Sequence, residues 1–509
     1  MLNKKFQFKI PKYFNLTLDC IEKWDQHSSI KRKTALYEVD NNLKVKKITY
    51  SDLNKKIKLY SHFLKENKIK KGDRVVLRLE NSTEFIICFL SIVKIGGIAI
   101  PTSTMLKKNE LEIIIKKTTP KAVISDTLIN FFKENKIKIL RKEILNIKTK
   151  TNFLDYSEKT LANDPCYICF TSGSTGDPKG VLHAHRSILG REPSTRFWLR
   201  LKQDDIVFNP GKLNWTYSLG AGCLDCLRFG STVIIYSGNH DINNYLNIIK
   251  KFNVSIFMTV PGVFRQINRY LNENKNNIKK LTPVNKFISA GEHLDKELIL
   301  AWKKKTNKFI YEGLGMSEIS YFISNDPNKK IKPGSSGKIQ PGHSAKIINN
   351  NSRRVKTGEI GELVIDKNDP GLMLGYWKDK ISTDKKIKKN FFHTGDLFKI
   401  DKDNFLWFIS RKDEIINAFG YRISPIEIET TVNKLNFVQE SALCVKKKDG
   451  KEITSLNIVI DNDNEKTIKR NKIKNFLQKE LADYKLPKEI IIVSKIKKTK
   501  TGKIIRKTN

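Results

Sequence analysis

The segment with the clearest chemical character is the string TSGSTGDPKG at residues 171–180. It follows an apolar stretch and combines hydroxyl side chains with glycines, so its backbone N–H and side-chain O–H groups can surround phosphate oxygens. The Gly-Lys-Ser/Thr ending of a Walker A loop is missing, which excludes that type of phosphate site. We expect a phosphate-binding loop that uses the following residues: Thr171, Ser172, Gly173, Ser174, Thr175, Gly176 and Lys179.

Further strings with charged and hydroxyl side chains follow towards the C-terminus. They are SAGEHL at 289–294, YEGLGMSEIS at 311–320, HTGDLFKID at 393–401, SRKDEIINAFGYRISPIEIE at 410–429 and KTKTGKIIRK at 498–507. Each has a purely structural interpretation as well, because Glu318 can cap a helix and Asp396 can close a turn. The order of the strings along one chain, rather than any single residue, indicates a function.

In this order the strings resemble the motifs of the acyl-adenylate-forming ligases. This superfamily includes the AMP-binding acyl-CoA synthetases, beetle luciferases and peptide-synthetase adenylation domains, and the resemblance extends over nearly the whole chain. It implies an AMP-forming acyl-CoA synthetase that activates a small carboxylic acid with ATP, releases pyrophosphate and transfers the acyl group to coenzyme A. The implied cofactors are ATP, Mg²⁺ and coenzyme A.

The resemblance assigns roles around the adenylate. Ser317 would contact the α-phosphate, and Glu318 would supply the oxygen ligand that Mg²⁺ prefers. Gly291 and Glu292 would line the adenine, where the family usually has Gly-Ala. Asp396 would accept hydrogen bonds from the ribose hydroxyls.

The last two strings carry the remaining roles that the resemblance implies. Arg411 would contact the ribose and phosphate, and Asp413 would be the hinge between two domains. Gly420 and Arg422 would face coenzyme A. Lys503 would be the catalytic lysine of acid activation, neutralising charge as carboxylate and phosphate approach.

The acid pocket resembles that of the benzoate-type and medium-chain acyl-CoA ligases. This likeness lies in GKLNWTYSLG at 211–220 and GLGMSEISYFISN at 313–325. It places four residues at the pocket: Trp215, Tyr217, Gly313 and Gly315. An apolar or aromatic acid fits such a lining, which suggests fatty or aromatic acid metabolism. An amino-acid-activating domain usually holds the substrate ammonium with an acidic residue here, and NWTYSLG contains none.

Helical and strand patterns alternate around these motifs. Residues 51–67 have apolar side chains at helical spacing, and RVVLRLE at 74–80 is typical of a strand. Residues 85–100 predict a buried helix that ends at glycines, followed by a short strand. We also interpret VLHAHRSI at 181–188 as helical. The alternation predicts an α/β fold with parallel sheets covered by helices.

The character of the sequence changes after Gly361 to short strands and turns. A small, basic α+β module follows Arg411. We therefore predict an N-terminal AMP-binding domain over residues 1–412, with helix-covered sheets and a small β-rich part. A small, mobile α+β C-terminal domain over 413–509 would carry Lys503.

The charge of the chain raises a nucleic-acid-binding alternative. The chain has 95 Lys and Arg against 53 Asp and Glu, a formal net charge of +42. The lysines are spread over the whole sequence, and no helix-turn-helix, zinc-finger or ribonucleoprotein signature is present. We expect no dedicated nucleic-acid partner. DNA binding that persists near physiological salt, with a steep salt slope, would favour the alternative.

Cysteine usage and hydropathy suggest a compartment. Seven cysteines in 509 residues do not form a disulfide framework, although the pairs Cys166/Cys169 and Cys223/Cys226 leave a zinc site open. We interpret them as small core residues. The N-terminus lacks the apolar core of a secretory signal, and the apolar run 85–100 is shorter than the ~20 residues that span a bilayer. We expect a cytoplasmic protein with no transmembrane segment.

The acyl acceptor and the assembly each have more than one interpretation. The chain ends soon after Lys503, so we expect no fused carrier domain, but a separate carrier protein is an alternative acceptor to coenzyme A. An inactive, light-emitting or structural relative is a further alternative, which the presence of Lys503 disfavours. A homodimer is compatible with the resemblance.

Overall fold

The chain forms two compact units in a computed structural model. The structure describes residues 6–142, 154–171, 178–412, 416–418, 421–448, 451–461, 465–481, 485–498 and 504–506. The large unit comprises Met1–Ser344 and Asp366–Phe392, and the small unit comprises Ala345–Ile365 and His393–Asn509. The domain boundary between residues 412 and 413 stays a prediction.

Two sheets form the framework of the large unit. The seven-stranded sheet has the order β18-β8-β7-β4-β3-β5-β6. Its strands are β3 (Arg74–Arg78), β4 (Ile98–Pro101), β5 (Ala122–Ser125), β6 (Lys138–Leu140), β7 (Pro165–Thr171), β8 (Lys179–Ala184) and β18 (Gly375–Tyr376). The strands β6, β5, β3, β4 and β7 are parallel, whereas β8 and β18 are added antiparallel at one edge.

The nine-stranded sheet has the order β15-β14-β13-β12-β11-β9-β10-β1-β2. Its strands are β1 (Thr34–Val39), β2 (Val45–Thr49), β9 (Ile206–Phe208), β10 (Thr232–Tyr236), β11 (Ile256–Thr259), β12 (Lys286–Ala290), β13 (Ile310–Met316), β14 (Ile319–Ser324) and β15 (Lys338–Ile339). Its centre is parallel, and antiparallel strands close both edges.

Helices alternate with these strands, as the sequence predicts. Those of the large unit are α1 (Leu16–Cys20), α2 (Ser28–Lys31), α3 (Tyr50–Glu66), α4 (Thr83–Lys94), α5 (Lys108–Thr118), α6 (Ile129–Glu134), α7 (Ser187–Gly190), α8 (Glu192–Phe197), α9 (Asp225–Phe229), α10 (Ile242–Lys251), α11 (Pro261–Glu273), α12 (Lys296–Thr306) and α13 (Lys380–Lys386). The described residues also form the 3-10 helices Glu22–Gln26 and Lys275–Leu281 and the π-helix Tyr217–Leu224. The predicted α/β fold is confirmed.

The core of the large unit explains the apolar run at 85–100. One apolar cluster joins α3 and α4 to strands of both sheets, so α4 is buried on nearly all sides. The helix ends at Lys94, and Gly96 adopts a φ of +74° that favours glycine before β4 begins. In the described part of the chain, we find no helix with the length and apolarity needed to cross a lipid bilayer.

The interpretation of residues 181–188 as helical is wrong. Residues 179–184 form β8, which pairs antiparallel with β7 from Thr171↔Lys179 to Pro165↔Ala184. The helix α7 begins only at Ser187. The apolar side chains of this stretch pack on a sheet, so tertiary pairing decides its conformation rather than local spacing.

In its described residues, the small unit is built from short sheets and two helices. One antiparallel set contains β16 (Ala345–Ile348), β17 (Ile360–Asp366), β20 (Phe391–Ile400) and β21 (Leu406–Arg411). The strand β19 (Ile387–Lys388) belongs to the large unit and pairs antiparallel with Phe391 and Phe392. The other elements are β22 (Ile416–Ala418), β23 (Tyr421–Ile423), β24 (Val438–Lys448), β25 (Lys451–Ile460), β26 (Glu489–Ile492), α14 (Pro425–Val432) and α15 (Lys466–Glu480). An apolar cluster between α14, α15 and the β24–β26 sheet forms its α+β core.

Candidate active site

The glycine-rich loop connects two antiparallel strands at the edge of the seven-stranded sheet. Thr171 ends β7 and lies opposite Lys179, the first residue of β8. The Lys179 ammonium lies 5.3 Å from the centre of the Tyr376 ring, a cation–π contact with the neighbouring strand β18. Ser172, Gly173, Ser174, Thr175 and Gly176 lie outside the described residues.

The turn between β13 and β14 presents Ser317 and Glu318. A hydrogen bond holds this turn to the other sheet, because His183 Nε2 on β8 lies 2.7 Å from the Ser317 carbonyl oxygen. A carbonyl only accepts, so this nitrogen carries the proton and donates. Glu318 therefore lies in a turn that is hydrogen-bonded to the loop-bearing hairpin.

Tyr376 orients the Glu318 carboxylate. The Tyr376 hydroxyl donates a hydrogen bond of 2.7 Å to Glu318 Oε1, and the Met373 N–H donates to the Glu318 carbonyl at 2.8 Å. Glu318 is half-buried, so its carboxylate remains accessible. The structure thus brings Lys179, Tyr376 and Glu318 together beside the loop.

The segment assigned to the adenine forms a turn after β12. Gly291 has a φ of +93°, a conformation that glycine adopts without strain. Glu292 is exposed, and His293 lies 3.5 Å from the buried Glu312. Glu312 also accepts a hydrogen bond from the Ser336 hydroxyl, so this buried carboxylate connects the turn to Ser336.

The segment assigned to the acid pocket is a π-helix packed on aromatic side chains. Tyr217 is buried, and its ring contacts Trp198 and Tyr321 at centroid distances of 6.4 and 5.6 Å. Gly313 lies against the same cluster, since a Cβ there would come within 2.3 Å of the Trp198 ring. Trp215, in contrast, is 39% exposed.

Gly315 is also packed closely. A Cβ at this position would lie 2.9 Å from the backbone nitrogen of Tyr321, so the hairpin accepts only glycine without shifting. Gly313 and Gly315 therefore have a packing role in addition to the pocket role that the resemblance implies.

A cavity of about 20 Å³ lies between the π-helix, β7, β8 and the β13–β14 hairpin. Its lining comprises Tyr167, Cys169, His183, Arg191, Thr216, Leu219, Gly220, Leu224, Met316, Ser317, Ser320 and Tyr321. Because Ser317 is part of the lining, the cavity begins beside the turn that carries Glu318.

A buried ion pair borders this cavity. Arg191 Nε donates to Asp225 Oδ1 at 2.8 Å, and both side chains are almost fully buried. Burial raises the pKa of Asp225, while the adjacent Arg191 acts to lower it. Neither residue is among those predicted from the sequence, although a single acidic residue in the apolar run LGAGCLDCL is a signal for a buried partner.

The small unit brings together two residues assigned to the ribose. Asp396 on β20 lies opposite Arg411 on β21, and Arg411 Nη1 is 3.1 Å from Asp396 Oδ1. The neighbouring Glu362 carboxylate contacts His393 at 3.2 Å and Lys412 at 3.3 Å. Burial acts to raise the pKa of Glu362, but His393 and Lys412 together lower it.

Other assigned residues lie outside the described parts of the chain. These are Asp413, Gly420 and Lys503, and for Arg422 the structure describes only the backbone in β23. Their roles stay predictions. Among the described residues, no three His, Cys, Asp or Glu side chains cluster as a metal site, and the cysteines of both CxxC pairs are free and buried.

Two histidines near the loop are buried and uncharged at neutral pH. Burial lowers the pKa of both His183 and His185 to about 4. His185 Nδ1 accepts a hydrogen bond from the Leu16 N–H at 3.1 Å, which connects the end of β8 to α1. His185 is therefore a packing residue.

Family models match both parts of the chain. The model described as AMP-binding enzyme matches residues 24–377, and the model described as AMP-binding enzyme C-terminal domain matches residues 427–503.

Individual relatives match over nearly the full length. The chain is 27% identical to the rat protein "Acyl-coenzyme A synthetase ACSM3, mitochondrial", over 98% of this chain and 91% of that protein. It is 28% identical to the "Uncharacterized acyl–CoA ligase YtcI" of Bacillus subtilis, over 97% and 95%. The crystal structure of the anthranilate CoA ligase AuaEII in complex with anthranoyl-AMP matches with a TM-score of 0.87 and 26% identity, covering 97% of this chain and 96% of that one.

The pKa of His185 predicts a pH-dependent stability. Between pH 6.5 and about 4 the unfolded chain binds a proton that the folded chain excludes, so the stability from this residue is present above pH 6.5 and lost on acidification. This loss is about 2 kcal/mol between pH 7 and pH 5. His185→Asn keeps an acceptor for the Leu16 N–H. Between pH 7 and pH 5 its free energy of unfolding, measured with urea, should fall by about 2 kcal/mol less than that of wild type.

The exposed His27 provides the control, since His27→Asn should leave the change of the free energy of unfolding with pH the same as in wild type. A slope for His185→Asn equal to that of wild type would contradict the burial argument.

Proposed function

The chain belongs to the AMP-binding enzyme family, and from that premise we propose that it is an acid–CoA ligase. A carboxylate oxygen attacks the α-phosphorus of ATP, and pyrophosphate leaves. The thiol of coenzyme A then attacks the acyl carbon of the adenylate, the acyl–oxygen bond breaks, and AMP leaves. The observation that supports this most is the grouping of Lys179, Tyr376 and Glu318 beside the glycine-rich loop.

The first step requires charge neutralisation, because a carboxylate must approach a polyphosphate. Such a transfer depends on positioning and electrostatics rather than on a covalent intermediate with the protein. Lys179 supplies a positive charge at the end of the loop, and the Ser317 hydroxyl would contact the α-phosphate. The assigned Lys503 would add a second cation.

A single carboxylate suits the magnesium that accompanies ATP. Mg²⁺ is bound in such sites by one or two carboxylates together with phosphates and water, and it neutralises charge on the phosphates. Glu318 would be that ligand. Its Oε1 accepts the hydrogen bond from Tyr376, which fixes the orientation of the carboxylate.

The second step uses the small C-terminal part of the chain. We propose that rotation about Asp413 removes Lys503 from the adenylate and presents Gly420 and Arg422 to coenzyme A. The ribose is held by Asp396 and Arg411, which already lie 3.1 Å apart.

Coenzyme A is favoured over a carrier protein as acceptor. The relatives reported above are named as acyl-CoA synthetase, acyl–CoA ligase and anthranilate CoA ligase. For the acid, the aromatic cluster of Trp198, Tyr217 and Tyr321 beside the cavity supports a small substrate with an apolar body.

The reaction products test the proposal. The protein incubated with ATP, Mg²⁺, coenzyme A and a panel of carboxylic acids should release AMP and pyrophosphate in equal amounts, only when an acid is present. Ion-pair chromatography separates these products from ADP and phosphate. Formation of ADP and phosphate would contradict adenylation.

Substitution of Lys503 should slow the first half-reaction much more than the second. Because its ammonium would bridge carboxylate and phosphate only in the first step, Lys503→Ala should reduce acid-dependent pyrophosphate exchange by about 10²-fold or more. Thioester formation from preformed acyl-adenylate should stay within about threefold of wild type.

Lys497→Ala removes an exposed lysine of the same module and is the matched control. Equal losses in both half-reactions of Lys503→Ala would rule out the proposed role.

Removal of the Tyr376 hydroxyl should weaken Mg²⁺ binding. Tyr376→Phe keeps the ring under Lys179 but frees the Glu318 carboxylate, and outer ligands of this kind affect metal affinity by about 10–100-fold. We expect the Mg²⁺ concentration for half-maximal pyrophosphate release to rise by about tenfold, with partial rescue at high Mg²⁺. Tyr13→Phe, at an exposed tyrosine, is the control. An unchanged Mg²⁺ dependence would show that this hydrogen bond does not position the ligand.

A further inference from the structure

Two side chains that line the cavity beside Ser317 each carry a buried polar atom with unused hydrogen-bonding capacity. Arg191 is 3% exposed and His183 is 2% exposed, and both line the cavity. Arg191 Nη2 and His183 Nδ1 have no hydrogen-bond partner within the described residues. Buried polar groups are almost always hydrogen-bonded, so two unpartnered atoms on residues of one cavity lining indicate an occupant.

The two atoms have opposite hydrogen-bonding roles. His183 Nε2 donates to the Ser317 carbonyl at 2.7 Å, so in the neutral imidazole Nδ1 is an acceptor. A guanidinium nitrogen only donates, so Arg191 Nη2 is a donor. An occupant that satisfies both atoms must accept one hydrogen bond and donate another.

The size and charge of the cavity restrict the occupant further. A volume of about 20 Å³ holds one group the size of a water molecule. The charge of Arg191 is already balanced by Asp225 at 2.8 Å, so a second carboxylate would be a buried charge without a counter-ion. A methyl group would fill the space but leave both polar atoms unpaired. A hydroxyl group satisfies the size, the charge and both hydrogen bonds.

We propose that the cavity is the inner end of the acid pocket and that Arg191 and His183 recognise a hydroxyl group on a short carboxylic acid. This inference rests on the proposed function, and it defines the substrate class as short hydroxy acids. Arg191 and His183 are then specificity-determining residues. In the absence of acid, one water molecule can make the same two hydrogen bonds, and the substrate hydroxyl replaces it without loss.

Gly220 gives a way to block the cavity without changing a charge. It lies on the π-helix in the cavity wall, and a Cβ there would be 3.5 Å from Arg191 Cζ, an ordinary van der Waals contact. Gly220→Ala should therefore fold and reduce the space for the hydroxyl group. Gly262 on α11 has no neighbour within 4 Å of an added Cβ and does not line the cavity, so Gly262→Ala is the matched control.

The experiment compares butanoate with its 2-, 3- and 4-hydroxy derivatives, using kcat/KM for acid-dependent pyrophosphate release. We expect one hydroxy acid to exceed butanoate by about 10–100-fold in wild type, because the apolar end of butanoate would displace the water without replacing its hydrogen bonds. Arg191→Met combined with Asp225→Asn removes the ion pair as a unit and should bring this ratio close to one. Gly220→Ala should reduce the ratio, and Gly262→Ala should preserve it.

Calorimetric binding of the same acids, without ATP, provides a readout that does not depend on turnover. If no acid supports pyrophosphate release but a hydroxy acid still binds more tightly than butanoate, the proposed function fails while the recognition of the hydroxyl stands. If butanoate performs at least as well as every hydroxy acid in both assays, the cavity holds only water and the inference is overturned. Retention of the ratio in the double variant would overturn the role of Arg191.

Discussion

The hydrogen bond from His183 to the Ser317 carbonyl joins the two sheets of the large unit at the candidate site. His183 lies on β8 at the antiparallel edge of the seven-stranded sheet, and Ser317 lies in the turn that begins the antiparallel edge of the nine-stranded sheet. The parallel strands in each sheet need long crossovers, whereas these edge hairpins reverse the chain within a few residues. The loop and the Ser317–Glu318 turn therefore both occur where parallel pairing gives way to antiparallel pairing.

This contact also has an electrostatic consequence. Because burial lowers the pKa of His183 to about 4, the ring is neutral at physiological pH and presents one donor and one acceptor. Arg191 keeps its charge in the same interior because Asp225 balances it. A neutral imidazole and a balanced guanidinium give the cavity polarity without net charge, which suits a neutral polar group better than an ion.

The sequence was sufficient for the fold class and for the segments around the candidate site, but not for the contacts within it. The apolar spacing of α3 and the glycines after α4 predict those elements because local packing and backbone geometry determine them. Residues 181–188 were misinterpreted because pairing with β7, far from any local signal, decides their conformation. Tyr376 and Arg191 were missed for a similar reason. Their partners Glu318 and Asp225 are 58 and 34 residues away along the chain, and no spacing rule connects them.

The transfer of a labelled oxygen tests the central claim most directly. If the acid carries ¹⁸O in both carboxylate oxygens, attack on the α-phosphorus and later cleavage of the acyl–oxygen bond leave one ¹⁸O on AMP. Mass spectrometry of AMP after turnover with ATP and coenzyme A should therefore show one ¹⁸O per molecule. AMP without label, or label found in inorganic phosphate, would contradict activation through an acyl-adenylate.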